Sequence, residues 1–366
     1  MLSILVLALL AALAAANGAN DVSKGVATLV GSGVTRYRTA ILWGVGCTLL
    51  GSLLSGLFAA KMLKLFSSGV VSATPTPAFT IAVLVGTIGW VVIATLTRLP
   101  VSTTHAILGS LLGAGVLFAP ASVNWGAVVP KLVSPLLLSI AAAYALSALG
   151  NRLAQALLPE CVCVAVPTLT RAPGPLAAAG ACGGTMHLST ALAASGPVVF
   201  TGTAQECARH DGVASVTQER IHWLSAGLVS VARGLNDTPK LVAIGAVALA
   251  ARFGLRVLLG VVAVAMAAGG LAAGRRVAAV LAEQVVKMDH REGLVANLTT
   301  ALLVGVGANL GLPMSTTHVS TGAIAGIAGS DAGRLNVSTL RSLVLAWTVT
   351  PVVAASIAAL TYVSVR

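Results

Sequence analysis

Two residue patterns in this chain can do chemistry, and each occurs twice. The first is an Asn-Asp pair: Gly18-Ala19-Asn20-Asp21-Val22-Ser23-Lys24 early in the chain and Gly234-Leu235-Asn236-Asp237-Thr238-Pro239-Lys240 later. Both copies sit between apolar runs, where a carboxylate costs about 2.5–3.5 kcal/mol to insert into a bilayer. The glycine ahead of each pair predicts local unwinding. Freed backbone carbonyls, a carboxylate and an amide oxygen would then form a hard oxygen cage suited to Na+ or a proton. Asn20, Asp21, Asn236 and Asp237 are the candidate ligands of such a coupling ion. The plainer reading is a polar pair that holds two helices together.

The second pattern is Leu99-Pro100-Val101-Ser102-Thr103-Thr104-His105, matched by Leu312-Pro313-Met314-Ser315-Thr316-Thr317-His318. Proline is tolerated in the first turn of a helix, and Ser and Thr are strong N-cap residues. Each block therefore predicts a break followed by a new half-helix starting near Ser102 or Ser315. The start of a helix carries unpaired N–H groups and the positive end of the dipole, which makes it an anion site. Ser102, Thr103, Thr104, Ser315, Thr316 and Thr317 are the candidate anion ligands, arranged to face a tetrahedral oxyanion from two sides. Such a site holds many neutral donors and little fixed positive charge, so cations at the aspartates would balance the anion. Joint loading of anion and cation is the physical root of symport.

Three roles stay open for His105 and His318: binding substrate, relaying protons, or fastening the break by hydrogen bonds. Lys24 and Lys240 follow the aspartates by three residues, on the same helical face. They can pair with the carboxylates, reach the membrane interface or meet the anion, and they are left outside the site at this stage. Asp289 and Glu292, with Lys287, His290 and Arg291 around them, read as a solvated helix end.

The elements that position these motifs follow from composition. The chain has 366 residues, 57% hydrophobic and 9% charged, with mean hydropathy +0.96. Soluble domains carry about 25% charged residues, so this chain is too poor in charge to cover a water-facing surface. Its partner is a lipid bilayer, and roughly 10–12 spans or re-entrant segments fit the apolar runs. The net charge of +12 does not indicate nucleic acid. The basic residues stand in small groups at the ends of apolar runs, such as Arg36 with Arg38 and Arg275 with Arg276, a pattern of membrane anchors. Residues 1–16 lack a basic leader region and read as a retained first helix rather than a signal peptide.

Gly, Asn, Asp and Lys of the first motif, the whole Pro-x-Ser-Thr-Thr-His block, and Gly109 with Gly322 recur in one order at nearly equal spacing. Duplication accounts for this, and such repeats are a transporter signature. The expected organisation is a first transmembrane repeat (1–158), an extramembranous connector (159–220) and a second transmembrane repeat (221–366). The connector holds five prolines and four of the five cysteines: Cys161, Cys163, Cys182 and Cys207. Their spacing fits no standard zinc site.

At these two blocks the chain resembles the inorganic phosphate transporter (PiT) family, whose hallmark is the same pair of blocks, each present twice. The resemblance covers nearly the whole chain outside the connector. It implies an all-α polytopic fold of two inverted repeats with broken helices and re-entrant helical hairpins, with phosphate bound near the midplane. It also implies extracytoplasmic termini, a cytoplasmic connector, phosphate contacts from the six Ser and Thr residues above, and cation sites at Asn20, Asp21, Asn236 and Asp237. The chain departs from the family at Thr238 and Pro239, and at Asn297, where many members carry Glu.

The function expected is secondary active symport of inorganic phosphate with a monovalent cation, Na+ or H+, by alternating access and without a cofactor. A prokaryotic inner membrane is the expected location and a homodimer an open expectation for assembly. A sulfate permease is the alternative within transport. An enzyme reading finds no Ser-His-Asp order and no metal triad, and no G-x-x-x-x-G-K-[ST] motif marks a primary pump. A scaffold reading, in which the repeat is only architecture, predicts that neutralising the aspartates changes nothing.

Overall fold

The computed structural model describes residues 1–57, 60–165, 198–202, 205, 212–329 and 331–366. It divides into a large helical unit, Met1–Ala156 with His222–Arg366, and a small unit, Leu157–Ile221. In the small unit β1 (Cys161–Ala165) pairs antiparallel with β2 (Val198–Gly202) and β3 (Gly212–Thr217), in the order β2-β1-β3. The composition gave no sign of these strands. Cys161 is buried and disulfide-bonded, and Cys182 and Cys207 lie outside the described residues.

The first half of the large unit comprises α1 (Leu2–Asp21), α2 (Ser23–Gly31), α3 (Tyr37–Leu54), α4 (Ala60–Lys64), α5 (Pro77–Leu96), α6 (Thr103–Phe118), α7 (Trp125–Val128) and α8 (Ser134–Leu157). The second half comprises α9 (Gln218–Phe253), α10 (Leu255–Ala273), α11 (Arg275–Glu283), α12 (His290–Leu310), α13 (Thr316–Gly326) and α14 (Val337–Val365). Among the described residues seven helices are long and apolar enough to cross a membrane. The chain is therefore a multi-pass integral membrane protein. The shorter α6 and α13 pack against α5 and α12 respectively, as the second arms of helical hairpins.

Helix boundaries follow local chemistry. Thr76 caps α5 by accepting from the Phe79 amide at 3.2 Å, with Pro77 at the first helical position. Asp289 and Glu292 form a reciprocal capping box at the start of α12. Arg334 then holds Glu292 through two bonds, of 2.8 and 2.9 Å. This corrects the reading of a solvated helix end, because Glu292 is buried and fully partnered.

The duplication is visible as reciprocal packing. A Cβ on Gly18 of α1 would lie 1.9 Å from the Met266 carbonyl oxygen of α10, and one on Gly234 of α9 would lie 2.5 Å from that of Thr48 in α3. Gly269 meets Ala15 at 1.9 Å and Gly51 meets Val231 at 2.1 Å in the same sense. The hairpins repeat the arrangement: Gly109 and Gly113 of α6 lie against Pro351 and Ala355 of α14, while Gly322 and Gly326 of α13 lie against Ile140 and Tyr144 of α8. Equivalent residues thus make exchanged contacts, as a pseudo-two-fold relation requires. Every close helix pair in this set joins one half to the other.

Candidate functional site

Both hairpins turn in the same way. After α5, Arg98 adopts the left-handed region at φ 62°, and the Leu99 amide returns to the Ala94 carbonyl at 2.8 Å. After α12, Gly311 takes φ 76° and the Leu312 amide returns to Gly307 at 2.8 Å. These bonds close the helix ends in the manner of a left-handed C-cap. Proline follows in each case, and the next helix starts where the sequence predicts. The Ser102 hydroxyl accepts from the His105 amide at 3.3 Å, and the Ser315 hydroxyl accepts from the His318 amide at 3.2 Å.

The two helix starts meet. The Thr317 hydroxyl donates to the Val101 carbonyl at 2.7 Å, and the equivalent Thr104 hydroxyl approaches the Met314 carbonyl at 3.5 Å. The His105 and His318 rings stand edge to face with centroids 4.5 Å apart, and His318 Nδ1 lies 3.2 Å from the Leu136 carbonyl. Two positive dipole ends therefore converge in the core, and the amides of Thr103, Thr104, Thr316 and Thr317 have no partner within their own helices. All six Ser and Thr residues are buried. A cavity of about 420 Å³ beside the histidines is lined chiefly by apolar side chains such as Leu108, Leu136 and Trp347 and offers an anion no charged donor.

The Asn-Asp blocks lie against these turns. Asn20 fastens the first hairpin: its Nδ2 donates to Thr95 Oγ1 at 3.1 Å and to the Leu99 carbonyl at 3.0 Å, while its Oδ1 accepts from the Val101 amide at 3.2 Å. Asn236 Nδ2 donates to the Met314 carbonyl at 2.9 Å and to Asp237 Oδ1 at 3.0 Å. Asp21 Oδ2 accepts from Asn17 Nδ2 at 3.0 Å and from the Thr103 hydroxyl at 3.4 Å.

The predicted unwinding at these blocks is absent. Val22, between α1 and α2, keeps right-handed α geometry at φ −57° and ψ −28°, and α9 runs unbroken through Asn236, Asp237 and Pro239. Gly18 and Gly234 serve close helix packing instead, because a Cβ at either would strike the backbone of the partner helix.

The lysines and one arginine change the site's electrostatics. Lys24 pairs with Asp21 Oδ1 and donates to the Asn20 carbonyl and Asn20 Oδ1, both at 2.9 Å. Lys240 pairs with Asp237 Oδ1 at 3.2 Å and donates to Thr104 Oγ1 at 2.8 Å and the Met314 carbonyl at 2.9 Å. Both lysines are only 1% exposed. Arg233, equally buried, donates from Nη2 to Thr48 Oγ1 at 2.9 Å, and its Nε and Nη1 find no partner among the described residues. It stands in the electrostatic field of both Asp21 and Asp237. Three cations face two carboxylates, which corrects the expectation of little fixed positive charge. Sequence reading left the lysines aside because three roles fitted them. It missed Arg233 altogether, because the equivalent residue of the first half is Asn17 and a repeat search finds only what recurs.

The residues present do not fit a sodium ion at the first block. Asn20 Oδ1, the Asn20 carbonyl and both Asp21 oxygens already accept hydrogen bonds. At the second block Asp237 Oδ1 and the Met314 carbonyl are taken, while Asp237 Oδ2 and Asn236 Oδ1 are buried without a partner among the described residues. Asn297 offers no carboxylate. Its Oδ1 accepts from Thr28 at 2.9 Å and its Nδ2 donates to Ser225 at 3.2 Å.

A helical multi-pass membrane protein in which two symmetry-related helix starts and a cluster of buried charges meet belongs among the membrane transporters. The chain belongs to the Phosphate transporter family, whose pattern it matches over residues 17–358. It is similar to a protein of Thermococcus kodakarensis named as a phosphate permease, with 27% identity over 380 residues covering 93% of this chain and 92% of the relative. It is likewise similar to a protein of Mycobacterium tuberculosis named as a low-affinity inorganic phosphate transporter, with 28% identity covering 94% of this chain and 73% of that one. A solved structure described as the sodium-dependent phosphate transporter shares the fold, with a TM-score of 0.78 at 20% identity over 99% of this chain and 98% of that one.

Proposed function

We propose that the chain carries inorganic phosphate across the membrane as a secondary transporter, by alternating access of its two halves around the paired hairpin tips. The observation that carries this reading is the meeting of two helix N-termini in the core, each capped by serine and followed by two threonines. Backbone amides at the two helix starts and the hydroxyls of Ser102, Ser315 and Thr316 would receive the phosphate oxygens. Thr103, Thr104 and Thr317, whose hydroxyls already donate to Asp21, Met314 and Val101, would contribute through their amides, with Arg233 Nε and Nη1 as further donors. Asp21 and Asp237, with Asn20 and Asn236, hold the hairpins and the lysines in register.

The two unpartnered acceptors, Asp237 Oδ2 and Asn236 Oδ1, favour phosphate over sulfate. A buried acceptor left unsatisfied costs about 1–3 kcal/mol. A phosphate hydroxyl satisfies it, whereas fully ionised sulfate has no proton to give. The same hydroxyl allows H+ to travel on the substrate, so a proton gradient can drive uptake without a separate ion site. Proteoliposomes with labelled phosphate, an imposed proton gradient and sulfate as competitor test this reading. Saturable, gradient-driven uptake that ignores sulfate is expected. Sulfate uptake in its place would transfer the reading to the other oxyanion, and no uptake of either would refute it.

A further inference from the structure

We infer that the side-chain ammonium groups of Lys24 and Lys240 stand in for coupling cations, so that this chain moves phosphate without sodium. The inference rests on the phosphate reading above and deepens it. The oxygen atoms that the sequence marks as a cation cage are Asn20 O and Oδ1 with Asp21 Oδ1 on one side, and each of them accepts from Lys24 Nζ. On the other side Lys240 Nζ takes Asp237 Oδ1 and the Met314 carbonyl, and adds Thr104 Oγ1 at the hairpin tip. The two ammonium groups occupy equivalent places in the repeat, three residues after each aspartate, and both are buried.

A tethered ammonium neutralises a carboxylate much as a bound sodium ion would, with one difference: it cannot leave. The charge balance needed to hold an anion is therefore built into the fold and is present in every conformation. A sodium ion would have to displace an ammonium group held by three oxygens at each block. Entering without displacement, it would add charge to a cluster that already holds three cations against two carboxylates, inside a low-dielectric core where like charges repel strongly. Of the two open acceptors at the second block, Asp237 Oδ2 is on the aspartate that Lys240 holds and Asn236 Oδ1 is on the preceding residue, with Arg233 one helical turn away. That setting favours a donor hydroxyl over a bare cation.

The test compares labelled phosphate uptake by the full-length protein in proteoliposomes, in media containing sodium or N-methylglucamine at equal pH and osmolarity. Uptake rates equal within about twofold are expected, a difference too small to signal an obligatory bound ion. Uptake that collapses without sodium would overturn this inference while leaving phosphate transport intact. No uptake in either medium would overturn the phosphate reading and this inference with it. A second measurement uses the Lys24→Ala and Lys240→Ala variants. Each is expected to lose at least about tenfold in uptake without sodium, because a desolvated charge pair is broken, and to regain activity when sodium or methylammonium is added. Rescue of neither variant by any small cation, with both folded as judged by gel filtration and circular dichroism, would assign the lysines a purely structural role and overturn the inference.

Discussion

Replacing Gly18 by Ala tests the packing that brings the two halves together. The new Cβ would stand 1.9 Å from the Met266 carbonyl oxygen, whereas Cβ contacts under 3.0 Å are essentially never seen, so α1 and α10 must part by at least 1.1 Å, the difference between these distances. A gap of 0.5–1 Å already forfeits about a quarter to a half of the dispersion energy of the contacts it opens. Overpacking of a tight interface costs about 1–3 kcal/mol, and the size of the shift places Gly18→Ala at the upper end, about 3 kcal/mol. With an unfolding entropy of about 2.1 cal/mol/K per residue over the 366 residues, the unfolding midpoint in detergent is then expected to fall by about 4 °C. Gly269→Ala, facing Ala15 at 1.9 Å, should match it. Gly260→Ala lies in the same helix with nothing within 4 Å of the added atom. It should be neutral or stabilising by up to about 1 kcal/mol, since Ala is the better helix former. Equal midpoints for Gly18→Ala and Gly260→Ala would refute the reasoning.

Lys240→Met is expected to destabilise the fold by about 3–5 kcal/mol, because it leaves the Asp237 carboxylate buried without its cation. The double variant Lys240→Met with Asp237→Asn should recover most of that loss, so additive effects in denaturant titrations would show that the pair is not coupled. Arg233→Asn borrows the residue of the equivalent position, Asn17, and should fold normally. Losing hydrogen bonds to a charged substrate is expected to raise the KM for phosphate by a factor of about 30, from roughly 2 kcal/mol, and an unchanged KM would remove Arg233 from the site. Arg98→Gly should raise stability by about 1 kcal/mol, since Arg98 holds a left-handed backbone conformation that its counterpart Gly311 adopts freely. A lower unfolding midpoint would count against the shared turn geometry.

The hairpin breaks were legible because proline, N-cap chemistry and duplication all point to the same residues. Ser102 and Ser315 begin their helices where the pattern puts them. The Asn-Asp blocks were legible as a location but not as a geometry. A glycine before a buried acid serves either an unwound turn or a close helix crossing, and only the distance from Gly18 to Met266 decides between them. Pro239, a departure from the family pattern, costs α9 one hydrogen bond without ending the helix. Lys24 bonds only to Asn20 and Asp21, as its spacing allows, whereas the role of Lys240 depends on side-chain reach to other elements, which spacing along one helix does not carry. The contact of Lys240 with Thr104 spans the two halves. The strands of the small unit lie in a stretch whose composition carries no clear periodicity.

The inequality of Asn17 and Arg233 has a consequence for parity. Two identical copies arranged about a two-fold axis place every charged residue there twice, so the total charge at the axis is even. Such a pair can match a doubly charged guest or none, but never a guest of charge one. Asn17 and Arg233 occupy equivalent positions with different charges, and the cluster around them carries an odd surplus. Joining both halves in one chain lets each position vary alone, and an odd charge on a two-fold axis becomes attainable. Under the reading proposed above, a singly charged oxyanion is the guest that such a centre would neutralise.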